Sequence, residues 1–515
     1  MNANETTSKA EKATVGSRGS MVKTVLVTSV SALVVLALAS ALVLFEPLPA
    51  LVDQGRSADS GARRISQLNL TTYCPSRMKV ADAAGFGEVK PDEGDIASSV
   101  RYAAFGPVYS STATGLDGRK PIRLQDTDPG DDDQVQTATG NADKNASLQT
   151  TRLLKASVGA GTAAATVSWA TSGDLRGVQA ASCTPAAFEH DFLLPATQKG
   201  WAQQLVVFNP STKAASVNLE AYGTKAGGAL SLNTRGTVTV KAGGEATYDL
   251  AAAAPDQAGL YVHLTGSDAP VCAVVRLTSM SGNEARGSDF ASEAGPPARE
   301  AFLPGVEGGD QAQLLLMSRG RAHIQAFWVT ASGPVKAKEA NLPGGRVGVI
   351  GLGQAPDDAV GLKVEADGPV SATAELSRSG SGGQTDFAML SPQPPLGVGA
   401  LTLPDQARGR ILLLNTTART VSAKILGFDA KGTRAGSKTV KLDADQGLGI
   451  GMDELGAGAV IARLDDSDKA LSWAVRVDVE AVSKADLAGL AIVTPQSLQP
   501  RTATVSARED RSLAR

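Results

Sequence analysis

Five aspartates, Asp126, Asp128, Asp131, Asp132 and Asp133, crowd around Gly130. Carboxylates clustered at a glycine turn suit a hard cation such as calcium, which takes six to eight oxygen ligands. The spacing of a helix-loop-helix calcium loop is not met, because Pro129 and Gly130 occupy its fourth and fifth positions. The expectation is a solvated acidic loop, with a weak calcium site as the alternative. The three histidines, His190, His263 and His323, lie far apart without HExxH or paired-cysteine spacing, so no zinc site and no cofactor is expected. Glu189-His190-Asp191 has the residue types for proton transfer, but neighbours on a strand point to opposite faces. Gly380-Ser381-Gly382 lacks the G-x-S-x-G frame of a hydrolase elbow. With 52 acidic residues, facing carboxylate pairs carry no information about glycosidase chemistry. No catalytic residues are assigned, and a binding or structural role is expected rather than an enzyme.

Of the three cysteines, one pair is possible and one thiol is left over. Cys74 and Cys183 each sit beside a proline-marked junction and are the expected disulfide. Cys272 lies in the apolar run Pro270-Val-Cys-Ala-Val-Val275 and reads as a small buried hydrophobe. Trp201, Trp328 and Trp473, with Tyr222, Phe327 and Phe428, fall in or beside strand-like runs. They read as core, with a ligand-stacking face as the alternative.

The elements that hold these residues repeat. Leu205-Val-Val-Phe-Asn209 returns as Leu314-Leu-Leu-Met-Ser318 and Ile411-Leu-Leu-Leu-Asn415, each about ten residues after a Leu-Pro. The copies close on Asp289-Phe290, Asp386-Phe387 and Asp486-Leu487. Each copy holds about seven short runs of period-two alternation bounded by turn residues, which predicts tandem immunoglobulin-like β-sandwich units, three complete and one degenerate. The fold class is therefore all-β. In the degenerate unit, Gly173-Asp-Leu-Arg-Gly177 echoes Gly282-Asn-Glu-Ala-Arg-Gly287.

Thr24 to Phe45 holds 22 residues without a charge, about 33 Å as a helix and enough to cross a membrane once. Lys9, Lys12, Arg18 and Lys23 in front of it favour a cytoplasmic N-terminus. A retained anchor is expected over a cleaved signal peptide, because the apolar run continues past Ala39-Ser40-Ala41. The expected organisation is a cytoplasmic tail over 1–23, the transmembrane anchor over 24–45 and a stalk over 46–68. A degenerate β unit follows over 69–182 with a polar acidic insert at 115–147 expected as a loop. Sandwich units then span 183–297, 298–395 and 396–494, before a disordered tail over 495–515. Forty-nine Lys and Arg nearly balance the acids, and a net charge of −3 gives no reason to expect nucleic acid as a partner.

The Cys74-Pro75 start, the Gly173–Gly177 segment leading to Ala180-Ala-Ser-Cys183-Thr-Pro185, the LVVFNP strand and the strand ending at Tyr222-Gly223 resemble an actinobacterial family of single-pass envelope proteins of unknown function. The resemblance covers about 69–494, with the closest likeness in the first full unit. Members are typically encoded near a large membrane glycosyltransferase, which implies a part in building or modifying envelope glycans. Cys272 is not part of the pattern, which implies that it stays unpaired. The functional expectation is a membrane-anchored, extracytoplasmic, non-catalytic scaffold or recognition protein at the plasma membrane, with an envelope glycosyltransferase or cell-wall polysaccharide as partner. A carbohydrate-binding or adhesive module is the second reading, and a hydrolase or transferase without a recognisable motif the third.

Overall fold

Ala215–Tyr222 shows the local rule: its residues alternate between buried and solvent-facing, as a strand with one face on a core must. The computed structural model describes residues 63–81, 92–124, 135–281 and 284–505, of which strands dominate and helix is confined to single turns such as Leu250–Ala253 and Glu480–Lys484. The protein is all-β, and its strand pairings are antiparallel. Arg63–Ser66 pairs with Thr502–Val505 in a two-stranded sheet, which falls in one unit with the chain up to 65 and from 502; residues 66–501 form the other unit.

Within 66–501 one topology recurs four times. In the second copy the eight strands are Glu189–Leu194, Trp201–Phe208, Ala215–Tyr222, Thr237–Val240, Glu245–Asp249, Leu260–Gly266, Cys272–Ser281 and Glu284–Ala291. The first, sixth, third and fourth form one sheet in that order; the fifth, second, seventh and eighth form the other. Phe192, Val217, Val262, Leu205 and Val275 meet between them in a shared apolar core. The third copy repeats this order from Ala298 to Leu390, with the sixth and seventh strands fused into one of 21 residues, Ala359–Ser379. The fourth copy repeats it from Val398 to Val493, and the first from Asn69 to Ser182. In each of these two a short strand, Gln496–Ser497 or Thr184–Pro185, is added beside the first strand.

Several expectations change. The connectivity is not the immunoglobulin order, in which the first strand lies beside the second; here the first pairs with the sixth. The first copy is not degenerate in topology. Its insert at 115–147, expected as a loop, supplies the strands Ile122–Arg123 and Gln136–Gly140 and buries Leu124, Val135, Ala142 and Ala146. These isolated apolar residues are diluted by their polar neighbours in any window average. The tail from 495 begins with a paired strand and the buried Leu498, and the stalk ends in Arg63–Ser66. The calcium-loop candidates Asp126, Asp128, Asp131, Asp132 and Asp133 and the anchor at 24–45 lie outside the described residues. Among the described residues no helix is long and apolar enough to cross a membrane.

The copies are not separate beads. The first packs on the second, the second on the third, the third on the fourth, and the fourth returns to the first. Phe105 and Ala163 of the first copy share a cluster with Ala400, Phe428 and Ile461 of the fourth. The eighth strands, Gly177–Ser182, Glu284–Ala291, Thr385–Leu390 and Ala491–Val493, contact one another around the centre of the ring. Each is an outer strand of its sheet, and such edges invite unwanted pairing unless covered. Ring closure covers them, which is why Ala491–Val493 is buried throughout.

Candidate functional site

Because every copy ends on its eighth strand, the segments linking the copies leave the ring centre side by side. Ser182–Ala186, Ser292–Gly295, Pro392–Leu396 and Thr494–Arg501 together line a cleft of about 670 Å³. Gln67 and Arg501, where the chain enters and leaves the 66–501 unit, line it as well. Prolines at 185, 210, 270, 392, 394, 495 and 500 stiffen its wall, since each holds φ near −65°. Between them stand hydroxyl and amide side chains, including Ser182, Thr184, Ser211, Gln393, Gln496 and Gln499. Thr184 Oγ1 is buried without a hydrogen-bond partner. Among the described residues, the ionisable ones on the wall are Glu293 and Arg501.

Glu293 is held from behind. His190 Nδ1 lies 2.7 Å from Glu293 Oε1, and His190 Nε2 lies 2.8 Å from the Val271 carbonyl. Burial acts to lower the His190 pKa, but the hydrogen bond and charge of Glu293 outweigh it and raise it. His190 is 1% exposed whereas Glu189 is exposed and Asp191 half-buried, so the Glu189-His190-Asp191 triplet is split between two faces as a strand requires. Asp191 instead accepts hydrogen bonds from Tyr261 Oη and His263 Nδ1, both at 2.7 Å. His323 Nε2 lies 3.1 Å from Glu339 on an exposed strand pair. The three histidines are not brought together, and among the described residues no group of His, Cys, Asp and Glu is placed to hold a metal.

Cys74 and Cys183 form a disulfide, and Cys183 lies on the cleft wall. Its loop spans 109 residues and ties the first strand of the first copy to the link into the second. Cys272 is free and buried, and burial pushes its thiol up to about 12, which leaves it unreactive near neutrality. Trp328 and Trp473 are buried core residues. Trp201 is half-buried and lines a smaller pocket between the second and third copies.

The ring centre is polar in an ordered way that the sequence did not reveal. Asp386 Oδ2 accepts the backbone N–H of Val178 and of Leu490, both at 2.9 Å, so the third copy holds the first and the fourth. Asp289 Oδ2 accepts the Met389 N–H at 2.7 Å, so the second holds the third. A Cβ at Gly177 or Gly287 would overlap the Asp386 carboxylate, and both glycines take positive φ, 139° and 93°. The echo between Gly173–Gly177 and Gly282–Gly287 therefore marks two copies packing on one carboxylate. The Asp-Phe recurrence misleads. Leu205 pairs with Val275 and Leu314 with Ala374; Asp289 faces Leu277, two residues on from Val275, whereas Asp386 faces Arg378, four residues on from Ala374. Asp486 lies in a left-handed turn ahead of its strand, at φ 61°.

Fold and cleft define the class: an all-β protein of recurrent antiparallel sheets with one disulfide and a cleft built from its linking segments. The chain belongs to the family described as "Family of unknown function (DUF5719)", whose model matches residues 135–453, more than half of the chain. No curated protein matches it.

Proposed function

We propose that this chain is a non-catalytic recognition scaffold of the cell envelope, anchored through 24–45 with 66–501 outside the membrane, and that it serves envelope glycan assembly through the cleft. The observation that supports this reading is the convergence of the three linking segments and the segment that leaves the fourth copy on one wall of prolines, hydroxyls and amides. Such a wall presents preformed hydrogen-bonding groups with little conformational freedom to lose on binding. A scaffold of this kind engages either a partner's uncharged polar chain or a glycan. The chain enters and leaves the 66–501 unit beside this cleft, at Gln67 and Arg501. The actinobacterial likeness and its association with membrane glycosyltransferases supply the glycan context.

A photo-crosslinking amino acid at Gln393 or Ser211 of the full chain, expressed in its own host, tests this. Crosslinks to a membrane glycosyltransferase or to cell-wall polysaccharide are expected, and no such crosslinks from an Arg321 control. Crosslinks from the cleft positions that match those from the control would sink the reading. Recovery of polysaccharide alone would favour the carbohydrate-binding alternative, which the hydroxyl and amide lining supports.

A further inference from the structure

Strand register places three residues at one structural position. Gln204 pairs with Arg276, Gln313 with Glu375 and Arg410 with Arg476, each one step from the matched Leu205, Leu314 and Ile411. In the second and fourth copies that position fills the seam against the preceding copy with a guanidinium. Arg276 Nη2 donates to Ser76 Oγ at 3.1 Å. Arg476 Nη1 donates to the Gly305 carbonyl at 3.1 Å and to Asp310 Oδ2 at 2.9 Å. In the third copy the seam residue is Glu375, shorter and of opposite charge. A pocket of about 360 Å³ remains there, bounded by Trp201, Arg286 and Gln198 of the second copy and by Gln313, Glu375 and Phe387 of the third.

We propose that this pocket is a binding site for a guanidinium or primary ammonium group, carried by a small molecule or by the basic side chain of a partner. The site lies apart from the linker cleft and does not depend on its function. Among the described residues Glu375 makes no hydrogen bond or ion pair, and a half-buried carboxylate without a partner is costly to leave so. Trp201 is held edge-to-face on Phe387 at 5.1 Å, and its π-face is a favourable neighbour for a cation. The sister arginines show that a seam of this geometry accepts a guanidinium. Trp201 follows Gly200, whose φ of 95° disfavours a side chain and where an added Cβ would come within 2.7 Å of the Met280 carbonyl oxygen. The strand of Trp201 pairs with Cys272–Ser281 along its whole length and with Glu245–Asp249 over Gln204–Phe208.

Burial alone pushes Glu375 up to about 7, so the empty site is part protonated at neutral pH. Arg286 is the other charged residue of the pocket lining. Elsewhere on the surrounding strands, Asp289 and Asp386 are hydrogen-bonded to backbone N–H groups, Arg276 donates to Ser76, Arg378 pairs with Asp310, and Lys363 pairs with Glu365 and Asp445. A bound cation would lower the Glu375 pKa and release a proton.

The test titrates the full chain with methylguanidinium and with ethylammonium, using methylurea as the neutral shape control, while the ¹³C-labelled glutamate carboxyls are followed by NMR. Either cation is expected to bind and draw the Glu375 transition toward the ordinary carboxylate range, with affinity falling about tenfold from pH 8 to pH 6. Glu375→Gln, which keeps the size of the side chain, is expected to lose about tenfold, and Arg286→Ala to gain. Equal binding of methylurea, or unchanged cation affinity in Glu375→Gln, overturns the proposal, as does a Glu375–Arg286 pair that excludes both cations. Response to methylguanidinium alone points to an arginine-like ligand, and response to both cations to the shared charge. Failure here leaves the crosslinking from the cleft unaffected, so the two readings fall separately.

Discussion

Asp289 is 2% exposed, and its Oδ1 has no hydrogen-bond partner while Oδ2 accepts one backbone N–H. Burial pushes its pKa well up, opposed by the Met389 and Phe290 N–H groups and reinforced by the nearby Asp386 carboxyl. A carboxyl raised on folding stabilises the fold fully below its unfolded pKa, near 4, and this contribution is lost as pH rises through the folded value. Asp289→Asn keeps an acceptor for Met389 and can never ionise. Its melting temperature is expected to exceed that of the native chain at pH 9 and to converge with it at acid pH. Parallel curves at all pH values would show that the native carboxyl is not held neutral. Glu375 follows the same sign, with its window between about pH 4 and the value near 7.

Between copies, elements are joined by single residues that reach across a seam. Arg101, 1% exposed on the second strand of the first copy, donates through Nε to the Leu403 carbonyl at 2.7 Å and pairs with Asp405 of the fourth. Arg101→Ala leaves that carbonyl buried without its donor and is expected to cost about 2–4 kcal/mol, read from urea denaturation. Arg101→Lys should recover only part, because one ammonium cannot reproduce the fork. Gly287→Ala forces a methyl into the Asp386 carboxylate at a left-handed φ, and a loss of about 2 kcal/mol or more is expected. Arg321→Ala, on an exposed turn, is the control and should change little. The first and fourth copies lie some 300 residues apart along the chain, as the Arg101 contacts show. Closure of that seam is therefore a long-range event.

For the whole molecule, shared cores predict one cooperative unfolding transition for 66–501 rather than four. Calorimetry resolving independent copies would contradict the ring. Replacing both Cys74 and Cys183 by alanine frees a 109-residue loop and is expected to lower stability by about 3–5 kcal/mol on the chain-entropy account. The loss should appear as an earlier single transition, because the first copy unfolds only by opening its seams with the second and fourth. An early separate transition would show that the seams contribute little.

Local pattern decided a good deal of this protein. The Leu205–Asn209 recurrence locates the second strand in three copies, the alternation around it defines strands, and Cys272 in its apolar run is as buried as its neighbours imply. These features are legible because hydrophobic period and chain neighbours act over a few residues. Pairing order, ring closure and the cleft were decided only in three dimensions, since whether a first strand joins the second or the sixth depends on contacts between distant segments. The same holds for the seam, where the exchange of arginine for Glu375 has no meaning until register lays Arg276, Glu375 and Arg476 over one another.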